Sequence, residues 1–134
     1  MKAVVFDGSG SGEIKQIPVP GVEKGWVLIA PISSGICGTD LHIAKGEFPM
    51  GVLPIVPGHE FAGHIVELGE GVSNLKVGAW VGANPNISCD SCEMCLIGAT
   101  NLCEKLEAVG ISLNGSMAEF IAIPAKCVFP LSEE

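Results

Sequence analysis

Cys89-Asp90-Ser91-Cys92-Glu93-Met94-Cys95-Leu96-Ile97-Gly98-Ala99-Thr100-Asn101-Leu102-Cys103 sets four cysteines at the spacing C-x2-C-x2-C-x7-C. The stretch has little apolar periodicity, so something other than a hydrophobic core must hold it, and a metal is the natural candidate. Four thiolates close a tetrahedron around Zn2+ and leave no position open to a substrate, the arrangement of a structural site. Two residues between ligands let a tight turn aim neighbouring sulfurs at one point, and the longer third gap brings the chain back. Cys89, Cys92, Cys95 and Cys103 are thus candidate ligands of a structural zinc, in a lobe expected over residues 84–107.

Two other chemistries compete for these cysteines. The first three imitate a bacterial ferredoxin run, but there the fourth cysteine follows after three residues and precedes proline, whereas Cys103 follows after seven and precedes Glu104. Disulfides need an oxidising compartment, and Met1 to Asp7 reads directly as a β-strand with no charged and apolar leader ahead of it.

The rest of the composition narrows the class. A chain of 134 residues fits one domain, residues 1–134, able to bury about two-thirds of its unfolded surface. Hydrophobic residues make up 48%, yet glycine, proline or polar residues interrupt every apolar run before the ~18 residues of a membrane span. A soluble, cytoplasmic protein is the expectation. Seven lysines, no arginine and fifteen acids give a net charge of −8, which repels phosphate backbones and anionic lipid, so neither nucleic acid nor a membrane is an expected partner.

Eighteen glycines, nine prolines and short extended runs suit strands joined by tight turns, and the predicted fold is mainly β, a small barrel with short helices and a metal-stapled excursion. Lys2 to Asp7 and Gly12 to Ile17 read as strands around the turn Gly8-Ser9-Gly10-Ser11-Gly12, which lacks the spacing and following helix of a phosphate loop. Trp26 to Ser33 is a longer strand whose Pro31 removes a ladder donor, so it should lie at an edge or carry a bulge. Thr39 or Asp40 is expected to cap a short helix through about Lys45, ended by Gly46. Pro49 to Pro57 reads as an irregular crossing. Phe61 to Leu68 and Ala79 to Ala83 are further strands, and beyond the lobe Val109 to Ile111, Met117 to Ile123 and Cys127 to Leu131 read as closing strands, with Asn114-Gly115 as a turn.

A second group of ligand-type residues sits at two sharp bends, Cys37-Gly38-Thr39-Asp40-Leu41-His42 and Gly58-His59-Glu60. Cys37 and His59, with Glu60 as a third, could hold a zinc that keeps a position open, as catalytic zinc requires. Taken by spacing alone, a lone cysteine is more often a small buried hydrophobe and a lone histidine more often a satisfied core or surface residue.

Gly35-Ile36-Cys37-Gly38-Thr39-Asp40-Leu41-His42, then Gly58-His59-Glu60-Phe61-Ala62-Gly63, then the four-cysteine lobe with Gly98 and Asn101-Leu102-Cys103 resemble the zinc-dependent medium-chain alcohol and polyol dehydrogenases. The resemblance spans the chain and is to their N-terminal GroES-like catalytic domain, nearest the polyol, butanediol and threonine dehydrogenase branch. It implies oxidation of a secondary alcohol or polyol to a ketone, with hydride passing to NAD or NADP. It also implies Cys37 and His59 as catalytic zinc ligands, and Glu60 as a direct, alternating or water-mediated one. Zn2+ there polarises the substrate oxygen and lowers the pKa of the alcohol, and the proton leaves through Thr39 toward His42 and solvent. The resemblance further implies Asp40 as the acceptor of the free ring N–H of His59, fixing its tautomer. The plainer readings are that Thr39 and Asp40 only cap the helix and that His42 is an exposed helix residue. His64 stands five residues after His59, not the four of a zincin pair, and is read as structural, and Cys127 as a buried thiol.

Two departures from the family follow. Gly78-Ala79-Trp80-Val81 has alanine where relatives carry an acid after the glycine, removing whatever bond that carboxylate makes. No strand, G-x-G-x-x-G and helix fingerprint of a Rossmann domain occurs. The expectation is therefore one part of a zinc dehydrogenase, inactive alone, with the nucleotide bound through a further domain or a separate chain. A homo-oligomer is compatible with that reading. The alternative from another class is a non-enzymatic binding or assembly module, a GroES-like barrel stiffened by zinc.

Overall fold

The computed structural model describes residues 1–132. Strand β1, Lys2–Phe6, and strand β2, Gly12–Gln16, form the expected hairpin, with Lys2 opposite Gln16 and Phe6 opposite Gly12. The next strands make the main sheet: β3, Trp26–Ser34, and β4, Phe61–Leu68, with helix α1, Gly38–Ala44, between them, then β5, Trp80–Ala83. A pair of two-residue strands, β6 at Asn86–Ile87 and β7 at Glu107–Ala108, closes the base of the cysteine lobe. Within the lobe lie the short helix α2, Glu93–Leu96, and a 3-10 turn, Thr100–Leu102. Strand β8, Ile121–Pro124, a 3-10 turn, Ala125–Cys127, and β9, Val128–Pro130, complete the chain.

The five-stranded sheet runs β8-β3-β4-β5-β9, antiparallel throughout. β3 is not at an edge, as one reading of Pro31 allowed. It carries the bulge instead: its register against β4 shifts between Pro31 and Ser33, so the missing N–H falls where the ladder is already broken. Phe61, Gly63 and Ile65 of β4 turn inward in alternation, while Val27, Leu28 and Ile29 of β3 are all buried. Val27, Ile29, Phe61, Ile65, Val81, Val109, Ile121, Ile123 and Val128 form one apolar cluster.

Three sequence expectations need correction. The cap of α1 is Cys37, not Thr39 or Asp40; Asp40 is the third helical residue, and its carboxylate reaches back to the Cys37 N–H. Val109 to Ile111 is not a strand, because Gly110, at φ +76, closes a turn in which its N–H donates to Leu113 O at 2.6 Å. Met117 to Phe120 does not pair as β8 does: Ser116 and Met117 donate instead to Gly58 O and Pro57 O, at 2.9 and 3.0 Å, tying this stretch to the loop before β4.

Candidate metal centres

The lobe between β6 and β7 has no apolar core of its own: Leu96, Ile97 and Leu102 face solvent, and among residues 88–106 only Cys103 is buried. Its four sulfurs meet instead. Those of Cys89, Cys92, Cys95 and Cys103 all lie within 4.8 Å of one another. Cys89 and Cys95 are 4.0 Å apart, against an edge of about 3.8 Å for a tetrahedron with the ~2.3 Å metal–sulfur bonds of zinc. Backbone N–H groups already point at these sulfurs: Cys103 Sγ accepts from Cys89 at 3.3 Å and from Lys105 at 3.4 Å. The Ser91 N–H, then the Ser91 hydroxyl, hold the Cys89 thiol down to about 6. N–H groups of Glu104 and Cys95 lower Cys92, while loss of water and then the neighbouring thiols push Cys95 up to about 12. The four sulfurs therefore cannot all carry charge side by side unless a cation sits among them, and a divalent ion binding there would have to displace protons.

The second constellation also assembles. Ligand atoms of Cys37, His59 and Glu60 lie within 4.8 Å of one another. Two elements place them. The end of β3 delivers Cys37 to the cap of α1, and Gly35 N–H donates to Glu60 O at 2.7 Å, joining that end to the start of β4. His59 follows Gly58, whose φ of +95 only glycine adopts easily and whose Cα is pressed by Ser34, Ser116 and Met117; a Cβ there would stand 2.7 Å from Ser116 Oγ. Ser34 and Ser116 share a hydrogen bond of 2.7 Å directly behind it.

Asp40 is 1% exposed and lies between the two bends. One carboxylate oxygen accepts from Cys37 N–H at 2.8 Å, the other from Gly58 N–H at 3.2 Å and stands 3.5 Å from His59 Nδ1. That ring nitrogen is buried and has no hydrogen-bond partner. Thr39 is half-buried, its Oγ1 3.7 Å from the Cys37 sulfur. His42 stands apart on the exposed side of α1, with Nδ1 3.2 Å from Glu47. His64 leans on Trp80, ring centroids 5.0 Å apart, with Nδ1 3.2 Å from Gly78 O, and takes no part in either cluster. Cys127 is buried, its thiol 3.6 Å from Asn86 O. A recess of about 580 Å3, lined by Ile17, Pro18, Val19, Trp26, Pro54 and Phe120 among others, includes no residue of either cluster.

The alcohol dehydrogenase GroES-like domain family matches residues 23–133. The chain belongs to that family. Its relatives include the D-altritol 5-dehydrogenase of Agrobacterium fabrum, 36% identical over 93% of this chain and 37% of the relative. The L-threonine 3-dehydrogenase of Streptomyces coelicolor is 37% identical over 96% of this chain and 39% of its own. A solved alcohol dehydrogenase from Escherichia coli CFT073, complexed with NADH, superposes on 99% of the chain with a TM-score of 0.93 at 34% identity, and the match covers 39% of that protein. The GroES-like domain here thus spans less than two-fifths of the length of these relatives. The expected family and the mainly β fold are both found. No helix among the described residues is long and apolar enough to cross a membrane.

Proposed function

We propose that this GroES-like domain is the zinc-holding and substrate-holding part of an NAD(P)-linked dehydrogenase that oxidises a secondary alcohol or polyol to a ketone. The observation that carries the reading is the convergence of Cys37, His59 and Glu60 around one point with Asp40 buried behind them. A scaffold has no use for a thiol, an imidazole and a carboxylate meeting at an open face, and this donor set suits zinc. The orphaned Nδ1 of His59 fits as well: with Nδ1–H turned toward Asp40, Nε2 is the nitrogen left for a metal.

A zinc ion bound there supplies polarisation of the substrate oxygen and a lower pKa for the alcohol hydroxyl. The chain's own residues do the rest. Asp40 ties the Cys37 and Gly58 backbones together through a single carboxylate and faces the His59 ring, 3.5 Å from Nδ1. Thr39, beside the Cys37 sulfur, takes the hydroxyl proton of the substrate as its own proton passes outward, and His42, open to water, is the group that delivers it to solvent. NAD or NADP is bound through a nucleotide-binding unit outside these residues, so the domain alone binds metal but does not turn over. Cys89, Cys92, Cys95 and Cys103 hold a second, structural zinc.

Elemental analysis of the purified chain and of Cys37→Ser tests this. Two zincs per chain falling to one in the variant is the expected result. One zinc in both leaves only the lobe and favours a scaffold, and iron in place of zinc overturns the assignment.

A further inference from the structure

Lys126 stands where the cysteine lobe meets the sheet. It lies in the 3-10 turn between β8 and β9, and its neighbours Ala125 and Cys127 are both buried in the main apolar cluster. Its backbone is therefore fixed by residues that pack with the sheet, not with the lobe. Its ammonium nevertheless reaches across, donating to Ser88 O at 2.6 Å and to the Asp90 carboxylate. These two acceptors belong to the residues immediately before and after Cys89.

The turn so held is an unusual one. Asp90, at φ +56, is the one non-glycine among the described residues in the left-handed region, which costs any side-chain-bearing residue energy unless local bonds hold it. The Ser88 hydroxyl donates to the other Asp90 oxygen at 2.6 Å, so Lys126, Ser88 and Asp90 close a ring of hydrogen bonds around the Cys89 peptide. The Cys89 N–H then points at Cys103 Sγ. Fixing the peptide planes on both sides of Cys89 fixes the direction of its Cβ, and with it where the sulfur points.

We infer that Lys126 is a positioning residue for the lobe: by holding Ser88 and Asp90 together it presets the Cys89 sulfur toward Cys92, Cys95 and Cys103 and slows metal loss. The inference rests on the reading of the lobe as a zinc site. An exposed ion pair adds little to global stability, and the Lys126 and Asp90 side chains are 42% and 57% exposed. The effect belongs to the lobe, not to the sheet, which is what separates it from a merely structural role. Outer partners of metal ligands carry roughly 10–100-fold in metal affinity, and the low end of that range fits a contact made through the backbone.

The test uses the whole chain in a Cys37→Ser background, so that only lobe metal is counted. Zinc release to a chromophoric chelator is timed for the parent, Lys126→Met, Lys126→Arg, Asp90→Asn and the Lys126→Met/Asp90→Asn double variant. The cobalt-loaded proteins are compared by their visible ligand-field bands. Release about tenfold faster in Lys126→Met, recovery in Lys126→Arg, a double variant no faster than either single one, a shifted cobalt band and an unchanged thermal melt of the sheet are the expected results. Release at the parent rate in both Lys126→Met and Asp90→Asn overturns the inference, as does a melt that falls in step with the release rate. A parent that holds no metal in the lobe fails the zinc reading itself, and that is read before any variant is made.

Discussion

Asp40 shows how much one buried carboxylate can hold. Removing it as Asp40→Ala strands the N–H groups of Cys37 and Gly58, each losing a charge-assisted bond. At about 1–3 kcal/mol for each stranded group, the variant should lose roughly 3 kcal/mol of stability, read as a lower midpoint in urea. Asp40→Asn keeps an acceptor and should lose less, yet still weaken metal at Cys37, His59 and Glu60 by about tenfold or more, because the ring of His59 loses its anionic neighbour. Cys127 has the opposite character. Burial pushes its thiol up from the ordinary 9.0, so the folded protein holds that proton where the unfolded chain has released it. Its contribution is whole below that ordinary value and is lost as pH climbs through the raised one, so stability should slope downward above about pH 9 and the slope should flatten in Cys127→Ala. Alkylation of Cys127 in the native protein should be slow even at alkaline pH, which mass spectrometry of iodoacetamide-treated protein would show.

Gly58 and Gly10 separate two reasons for glycine at the scale of a loop. Both have positive φ, but a Cβ on Gly10 meets nothing, whereas on Gly58 it meets Ser116, Met117 and Ser34. Gly10→Ala should cost about 1 kcal/mol, and Gly58→Ala, with strain added to overpacking, about 3 kcal/mol or more, with loss of metal at His59 as the second readout. Elements with a strong local signal were legible: the hairpin around Gly8 to Gly12, the strand Phe61 to Leu68, the stop of α1 at Gly46, and the cysteine spacing that gathers the lobe. β6 and β7 were not, since two residues carry no period, and their pairing of Asn86 with Ala108 is decided by where the lobe must return. Val109-Gly110-Ile111 has the composition of a strand, yet Gly110 spends its N–H on a turn. Cys37, His59 and Glu60 were legible as residue types at bends, but their meeting depends on the bonds between residues 56–58 and 114–117, which no local pattern announces.

For the whole molecule, the apolar cluster contains none of the four lobe cysteines. Chelation should therefore unfasten the lobe and spare the sheet: hydrogen exchange is expected to rise sharply over residues 88–106 and to stay slow in β3, β4 and β8. The cluster and the lobe also differ in how far apart in the chain their partners lie. The interior strand β3 finds one neighbour, β8, only when Trp26 meets Pro124, and β1 is bridged where Ala3 meets Ala118. A sheet sewn from the two ends of the chain is slow to form, in the millisecond-to-second range of non-local β topologies, whereas the cysteines lie within one short loop. On the ribosome, β3 and β4 thus emerge with an unsatisfied edge and wait for β8, while the four lobe cysteines are already out and the proposed zinc can bind them. The lobe is thus complete before the sheet is, and the interval before β8 arrives is when nascent chains are most exposed to aggregation.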